Sequence, residues 1–200
     1  MKTLLQHFFK PKWQHRDPQV RKQAIAALPA EEAELLAELA RRDAVGEVRL
    51  TALRRLSDLA LYAERARQDT EATVREFAQQ RLRQLLEGGR TDSPTLAVRL
   101  SFVRTQSNDA NLLEYLALQA QETELRALAI AQVNREATLV EAATRDPVHA
   151  NRVAALARIQ QPTALERVAK LMRTQDKQLY RHARDRLDAL QATAAGQAQQ

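Results

Sequence analysis

Cysteine is absent from the 200 residues. That removes disulfide frameworks, Cys-ligated zinc and thiol nucleophiles from the possible chemistries. Glycine is scarce, at four, and only Gly88 and Gly89 are adjacent, so no glycine-rich loop can cradle a phosphate. Aromatics make up 4% of the chain and Trp13 is the sole tryptophan, which leaves few platforms for stacking nucleobases. No run approaches the ~18 apolar residues of a membrane-spanning helix. The start, Met1–Phe9, is broken by His7 and followed by Lys10 and Lys12, unlike the clean apolar stretch of a secretory leader. These absences lead us to expect a cytoplasmic chain with no transmembrane segment.

What is present is the balance of a folded protein, 44% apolar and 28% charged. The formal charge is +6, but it is uneven. Residues 1–28 carry Lys2, Lys10, Lys12, Arg16, Arg21 and Lys22 against Asp17 alone. The rest is close to neutral. Most of the basic residues are arginine, which suits fixed bidentate contacts with carboxylate or phosphate.

From Asp17 to Leu190 apolar residues recur at i, i+3, i+4 and i+7, the period of an amphipathic helix. No stretch alternates as a strand would. Pro18, Pro94, Pro147 and Pro162 stand where helices would begin, and Gly88-Gly89 could end one. One frame then returns in steps of 28 and 26 residues at first and of 26 to 28 residues later. It reads Val20-Arg21, Ala24-Ile25, Leu28, then Val48-Arg49, Ala52-Leu53, Leu56, then Val74-Arg75, Ala78, Leu82. It returns at Leu125-Arg126, Ala129-Ile130, Val133, in degenerate form at Arg152, Ala155-Leu156, Ile159, and last at Leu179, Ala183, Leu187. A shorter amphipathic helix precedes each later copy, as at 31–42, 57–68, 110–120, 135–144 and 163–173. A single helix pair cannot cover its own apolar stripe, so such pairs are expected to stack. The stretch 94–106 has the second-helix pattern, with Val98-Arg99 and Phe102-Val103, but no first helix before it, so an irregular step is expected near 87–108. Asp43, Asp69 and Asp146 each precede Arg49, Arg75 and Arg152 by six residues. That repetition suggests a structural ladder of turn carboxylates and guanidiniums, within or between neighbouring repeats.

This frame resembles the short HEAT repeat, in the compact class with Asp in the turn and Val-Arg opening the second helix. The resemblance covers about 15–190 and implies an all-α, right-handed superhelical α-solenoid. We expect a basic and aromatic capping helix over 1–14, a single repeat domain over 15–190 and a polar tail over 191–200. The segment Phe8-Phe9-Lys10-Pro11-Lys12-Trp13-Gln14-His15, running into Asp17-Pro18-Gln19-Val20-Arg21, resembles the N-terminal repeat region of a bacterial family built on the domain of unknown function numbered 349. This second resemblance implies that the chain could be the front of a longer protein.

Catalysis has little support. His7, His15, His149 and His182 form no two-His helical metal motif, and Ser57, Ser93, Ser101 and Ser107 lack a nucleophile elbow. We expect no enzyme activity, cofactor or metal. Six and seven residues after the frame valine stand Arg54 and Arg55 in one repeat. Similar places hold Arg81, Arg104 and Arg158, with Lys22, Arg181 and Arg184 nearby on the same helix set. In HEAT-type stacks the second helices line the concave face, so these residues would form a partly basic groove. It could meet a protein partner, another region of a longer chain, or nucleic-acid phosphates. Simple solvation of helix-end cations is the plainer reading. Phe8, Phe9, Lys10, Lys12 and Trp13 would dock a partner or cap the first repeat. The leading expectation is a non-enzymatic protein-binding scaffold, followed by a nucleic-acid-binding module. Third comes a HEAT-like DNA glycosylase, which would need a cleft lined by aromatics. Tyr62, Phe77, Phe102, Tyr115 and Tyr180 are scattered at positions that more often fill core.

Overall fold

The computed structural model describes residues 10–106 and 108–197. Among them lie twelve α-helices and no strand. They are α1 (Pro18–Ala26), α2 (Ala33–Arg42), α3 (Gly46–Leu53), α4 (Leu59–Gln68), α5 (Ala72–Glu87), α6 (Leu96–Gln106), α7 (Ala110–Gln119), α8 (Thr123–Ile130), α9 (Glu136–Arg145), α10 (His149–Arg158), α11 (Pro162–Met172) and α12 (Lys177–Gln197). The chain divides into two compact units, Met1–Leu85 and Leu86–Gln200, with the boundary in the last turn of α5.

Local chemistry sets the helix starts. Asp17, Asp58 and Asp109 each accept a backbone N–H from the first turn of α1, α4 and α7, with the leading contacts at 2.9 Å. Such a cap stabilises a helix by about 1 kcal/mol. Pro18 and Pro162 lie in the first turn of α1 and α11, where the missing N–H has no intrahelical partner to lose.

In the first unit α3 packs against both α1 and α2. In the second, α6, α8, α10 and α12 lie side by side in that order, as do α7, α9 and α11, and each of α8, α10 and α12 also packs on the helix before it. That is a two-layer arrangement of first and second helices. The frame residues form its core. Val48, Ala52, Leu53, Val74, Ala78, Leu125, Ala129, Ile130, Ala155, Leu156, Leu179, Ala183 and Leu187 are all buried. Val20, Ala24 and Leu56 are half-buried, and Val98 is 51% exposed, in the stretch where no first helix precedes α6. The connection passes instead through Gly88 and Gly89, both left-handed at φ 92° and 75°. Only glycine adopts those values without strain.

Within the expected capping helix, Phe8 and Phe9 lie outside the described residues. Its described part is a single 3-10 turn, Lys12–Gln14. Pro11, extended at ψ 145°, and His15, extended at ψ 147°, stop it on either side. The turn packs against α1, with Trp13 half-buried and Lys10 and Lys12 exposed. At the other end α12 continues through residues 191–197 of the expected polar tail. Alanine and glutamine there have the intrinsic propensity to extend a helix.

Candidate functional site

The turn aspartates have a double task. Asp43, Asp69 and Asp146 end α2, α4 and α9 in extended conformation. One carboxylate oxygen of each accepts the backbone N–H two residues on, at Val45, Glu71 and Val148. This fixes the turn and aims the carboxylate back at the preceding second helix. Arg21 meets Asp43 through two bonds of 2.7 and 2.8 Å. Arg49 meets Asp69 the same way, and Arg126 meets Asp146. Arg152 reaches Asp176 at 3.1 Å beside His149.

The spacing of six in the sequence has a different content. Arg49, Arg75 and Arg152 donate to the backbone carbonyls of Asp43, Asp69 and Asp146 at 2.7–2.9 Å. Each of these arginines therefore holds its own turn by the main chain. Where a carboxylate bond is seen, as for Arg49 and Arg152, it is to the next turn. The irregular step keeps the device in altered form. Ala120 stands at the turn position and offers its carbonyl to Arg126 at 2.9 Å. Glu122 supplies the carboxylate, taking two bonds from Arg99.

Asp69, Asp146 and Glu122 are held ionised. Burial pushes Asp69 and Asp146 upward, but the charge-assisted bonds from Arg49 and Arg126 and the backbone N–H groups outweigh it and hold both below the ordinary range. Arg99 lowers Glu122 directly. A carboxylate with a depressed folded pKa stabilises the fold fully above its unfolded value, near 4, and this is lost as the pH falls through the folded values. Urea denaturation at stepped pH should give near-constant stability from pH ~7 to ~5 and a steep, multi-proton decline below pH ~4. A flat profile down to pH ~2 would contradict the account.

A second series was not anticipated. Arg55, Arg158 and Arg186 each donate to the carbonyl that follows the preceding second helix, at Leu28, Val133 and Ile159, with distances of 2.7–2.8 Å. Helix ends leave carbonyls without partners, and no glycine cap serves these three. The signal was readable as an Arg seven residues beyond the frame position, at 48 to 55, 151 to 158 and 179 to 186. Arg186 was overlooked for its neighbours Arg181 and Arg184.

This revises the groove residues. Arg55 and Arg158 are tied to backbone, and Lys22 pairs with Glu47 at 2.7 Å. Arg54 is exposed, with its guanidinium 5.3 Å from the Phe77 ring. Arg81 is half-buried beside Gln84. Arg104 and Arg181 are exposed, and Arg184 lies 3.8 Å from Asp188. On α8 and α10, which lie between α6 and α12, Ala127, Leu128, Val153, Ala154 and Ala157 are small apolar positions open in part to solvent, continued by Ala131 just after α8 and bordered by the exposed Glu124.

Tyr62 is buried and donates to the Leu53 and Leu56 carbonyls, with Phe77 at 6.3 Å between ring centroids. Phe102 is buried, and Tyr115 donates to Glu87. Among the described residues no three His, Asp or Glu side chains gather as a metal site would require, and no helix is long and apolar enough to cross a membrane. Two clefts open in the second unit. One of about 230 Å³ is lined by Leu118, Arg126, Glu141, Ala142, Arg145 and Asp146, among others. The other, about 210 Å³, lies between Asn108 and Arg135. Comparison with protein-family models, with curated proteins and with solved structures gave no match to this chain.

Proposed function

We propose that the chain is a right-handed superhelical α-solenoid of HEAT-like repeats acting as a non-enzymatic scaffold for a protein partner. The observation that carries this reading is the solvent face of α8 and α10. Leu128 and Val153 are partly exposed there among alanines, while the cations of α8 and α10, Arg126, Arg152 and Arg158, are tied to carboxylates or backbone carbonyls. Desolvating such a face gains free energy at about 25 cal/mol per Å², which favours a protein surface. A phosphate backbone gains from neutralising free cations instead, and the arginines in the middle of this row are already bonded to carboxylates or carbonyls. The repeated arginine braces support the same reading, since they fix helix pairs in register and give a partner a rigid face.

The test is affinity capture with the full-length gene product, comparing it with Leu128→Glu/Val153→Glu. Both sites are partly exposed, and a denaturant melt of the double variant establishes that it is folded before capture. Captured protein should be lost. Undiminished capture by the folded double variant would sink the assignment. The nucleic-acid reading has one observation in its favour, the exposed Arg54, Arg104 and Arg181. A low-salt mobility shift that disappears when these become glutamate would favour it over the scaffold.

A further inference from the structure

The two units carry the same pair of carboxylates in the same register, with different surroundings. In the first, Glu64 and Asp69 stand five residues apart at the end of α4, and Glu141 and Asp146 do so at the end of α9. The first pair encloses a guanidinium. Arg65, 9% exposed, donates to Glu64 at 2.6 Å and to the Arg41 carbonyl at 3.4 Å, and lies 3.6 Å from Asp69. Arg41 closes the cluster from the neighbouring first helix by donating to Glu64 at 3.0 Å. In the second unit the counterpart of Arg65 is Ala142, and that of Arg41 is Leu118. Both cations are replaced by aliphatic side chains, and the cleft of about 230 Å³ opens at that place.

We propose that this cleft takes the side chain of an arginine presented by a peptide segment of a protein partner. The incoming guanidinium would occupy the position that Arg65 fills within the first unit. Glu141 is the principal acceptor. Its carboxylate is half-exposed and held only from the mouth of the cleft by Arg145, itself 77% exposed, at 3.0 Å. An incoming fork displaces Arg145 toward solvent. Asp146 supplies a second, weaker attraction, because both its oxygens already accept, from Arg126, Asn151 and the Val148 N–H. Leu118 and Ala142 form an apolar wall for the aliphatic stem. The planar fork of arginine matches this arrangement better than the point charge of lysine. The proposal does not rest on the apolar face of α8 and α10, which belongs to the other helix layer.

The probe is a short peptide with one arginine and blocked ends, titrated into the isotope-labelled full chain. Its lysine analogue and free arginine are run in parallel. Saturable amide shifts are expected at Leu118, Ala142 and Arg145, at least about tenfold weaker with lysine, a difference of ~1.4 kcal/mol. Ala142→Arg should abolish them by supplying the guanidinium internally. Glu141→Gln should weaken binding about tenfold, and it keeps the question decidable if Ala142→Arg does not fold. No shift at these amides, shifts that survive both substitutions, or binding of free arginine but not of the peptide would each overturn the proposal.

Discussion

Arg49→Ala is expected to destabilise the fold by about 3–5 kcal/mol, the usual consequence of removing one partner of a buried ion pair. The Arg49 side chain is 7% exposed and that of Asp69 fully buried. The substitution strips Asp69 of its two strongest donors and the Asp43 carbonyl of its guanidinium. What remains is a fully buried carboxylate with only the Glu71 N–H and the more distant Arg65, at 3.6 Å, to hold its charge. Its pKa should climb, so the variant's deficit should narrow as the pH is lowered. Replacing both partners, as Arg49→Met with Asp69→Leu, should restore most of the loss, because apolar groups of similar volume need no desolvation compensation. Denaturant melts of the two variants beside Arg42→Ala, an exposed control, decide the matter. If Arg49→Ala loses no more than the control, the brace contributes nothing.

Gly88→Ala should be nearly as damaging, by about 3–5 kcal/mol, for two separable reasons. Its φ of 92° disfavours any residue with a side chain. A methyl group there would also lie at 3.0 Å or closer to the Arg99 guanidinium and both Glu122 oxygens. The Arg99–Glu122 pair is the brace of the irregular step, and Arg99 further donates to the Leu86 and Pro94 carbonyls. The added carbon therefore separates a carboxylate from its cation as well as straining the turn. A calorimetric melt of Gly88→Ala against Gly196→Ala tests this. A helical glycine replaced by alanine should gain a few tenths of a kcal/mol instead. Equal effects would mean that the turn at Gly88 is not constrained.

The helices were legible because their signal is periodic and repeated. The frame Val-Arg, Ala-Leu, Leu recurs on α1, α3, α5, α8 and α12, and the missing first helix before α6 showed as a gap in it. The pairing of the ladder was not legible. A spacing of six is a local fact. The bond that matters runs from Arg49 to Asp69 and from Arg126 to Asp146, across a helix whose orientation the sequence does not state. The groove arginines divide for a related reason. An Arg near a helix end reads the same whether it faces water, as Arg104 does, or reaches the carbonyls of the helix beside it, as Arg55 does. The apolar cleft residues Leu118 and Ala142 gave no signal alone. They acquire meaning only when aligned in register with Arg41 and Arg65.

The braces also give the chain a grammar for growth. The helices α1, α3, α6, α8 and α10 each carry a peg, an arginine, and its carboxylate socket is in the turn of the helix pair that follows. A duplication or loss of one whole unit leaves every peg seated. A change of a few residues within a unit strands a buried charge on each side of the break. Selection on such a chain would therefore act on its length in quanta of one helix pair. The step at Gly88, where Glu122 replaces the turn aspartate two positions late, is how the grammar absorbs a unit that lacks its first helix.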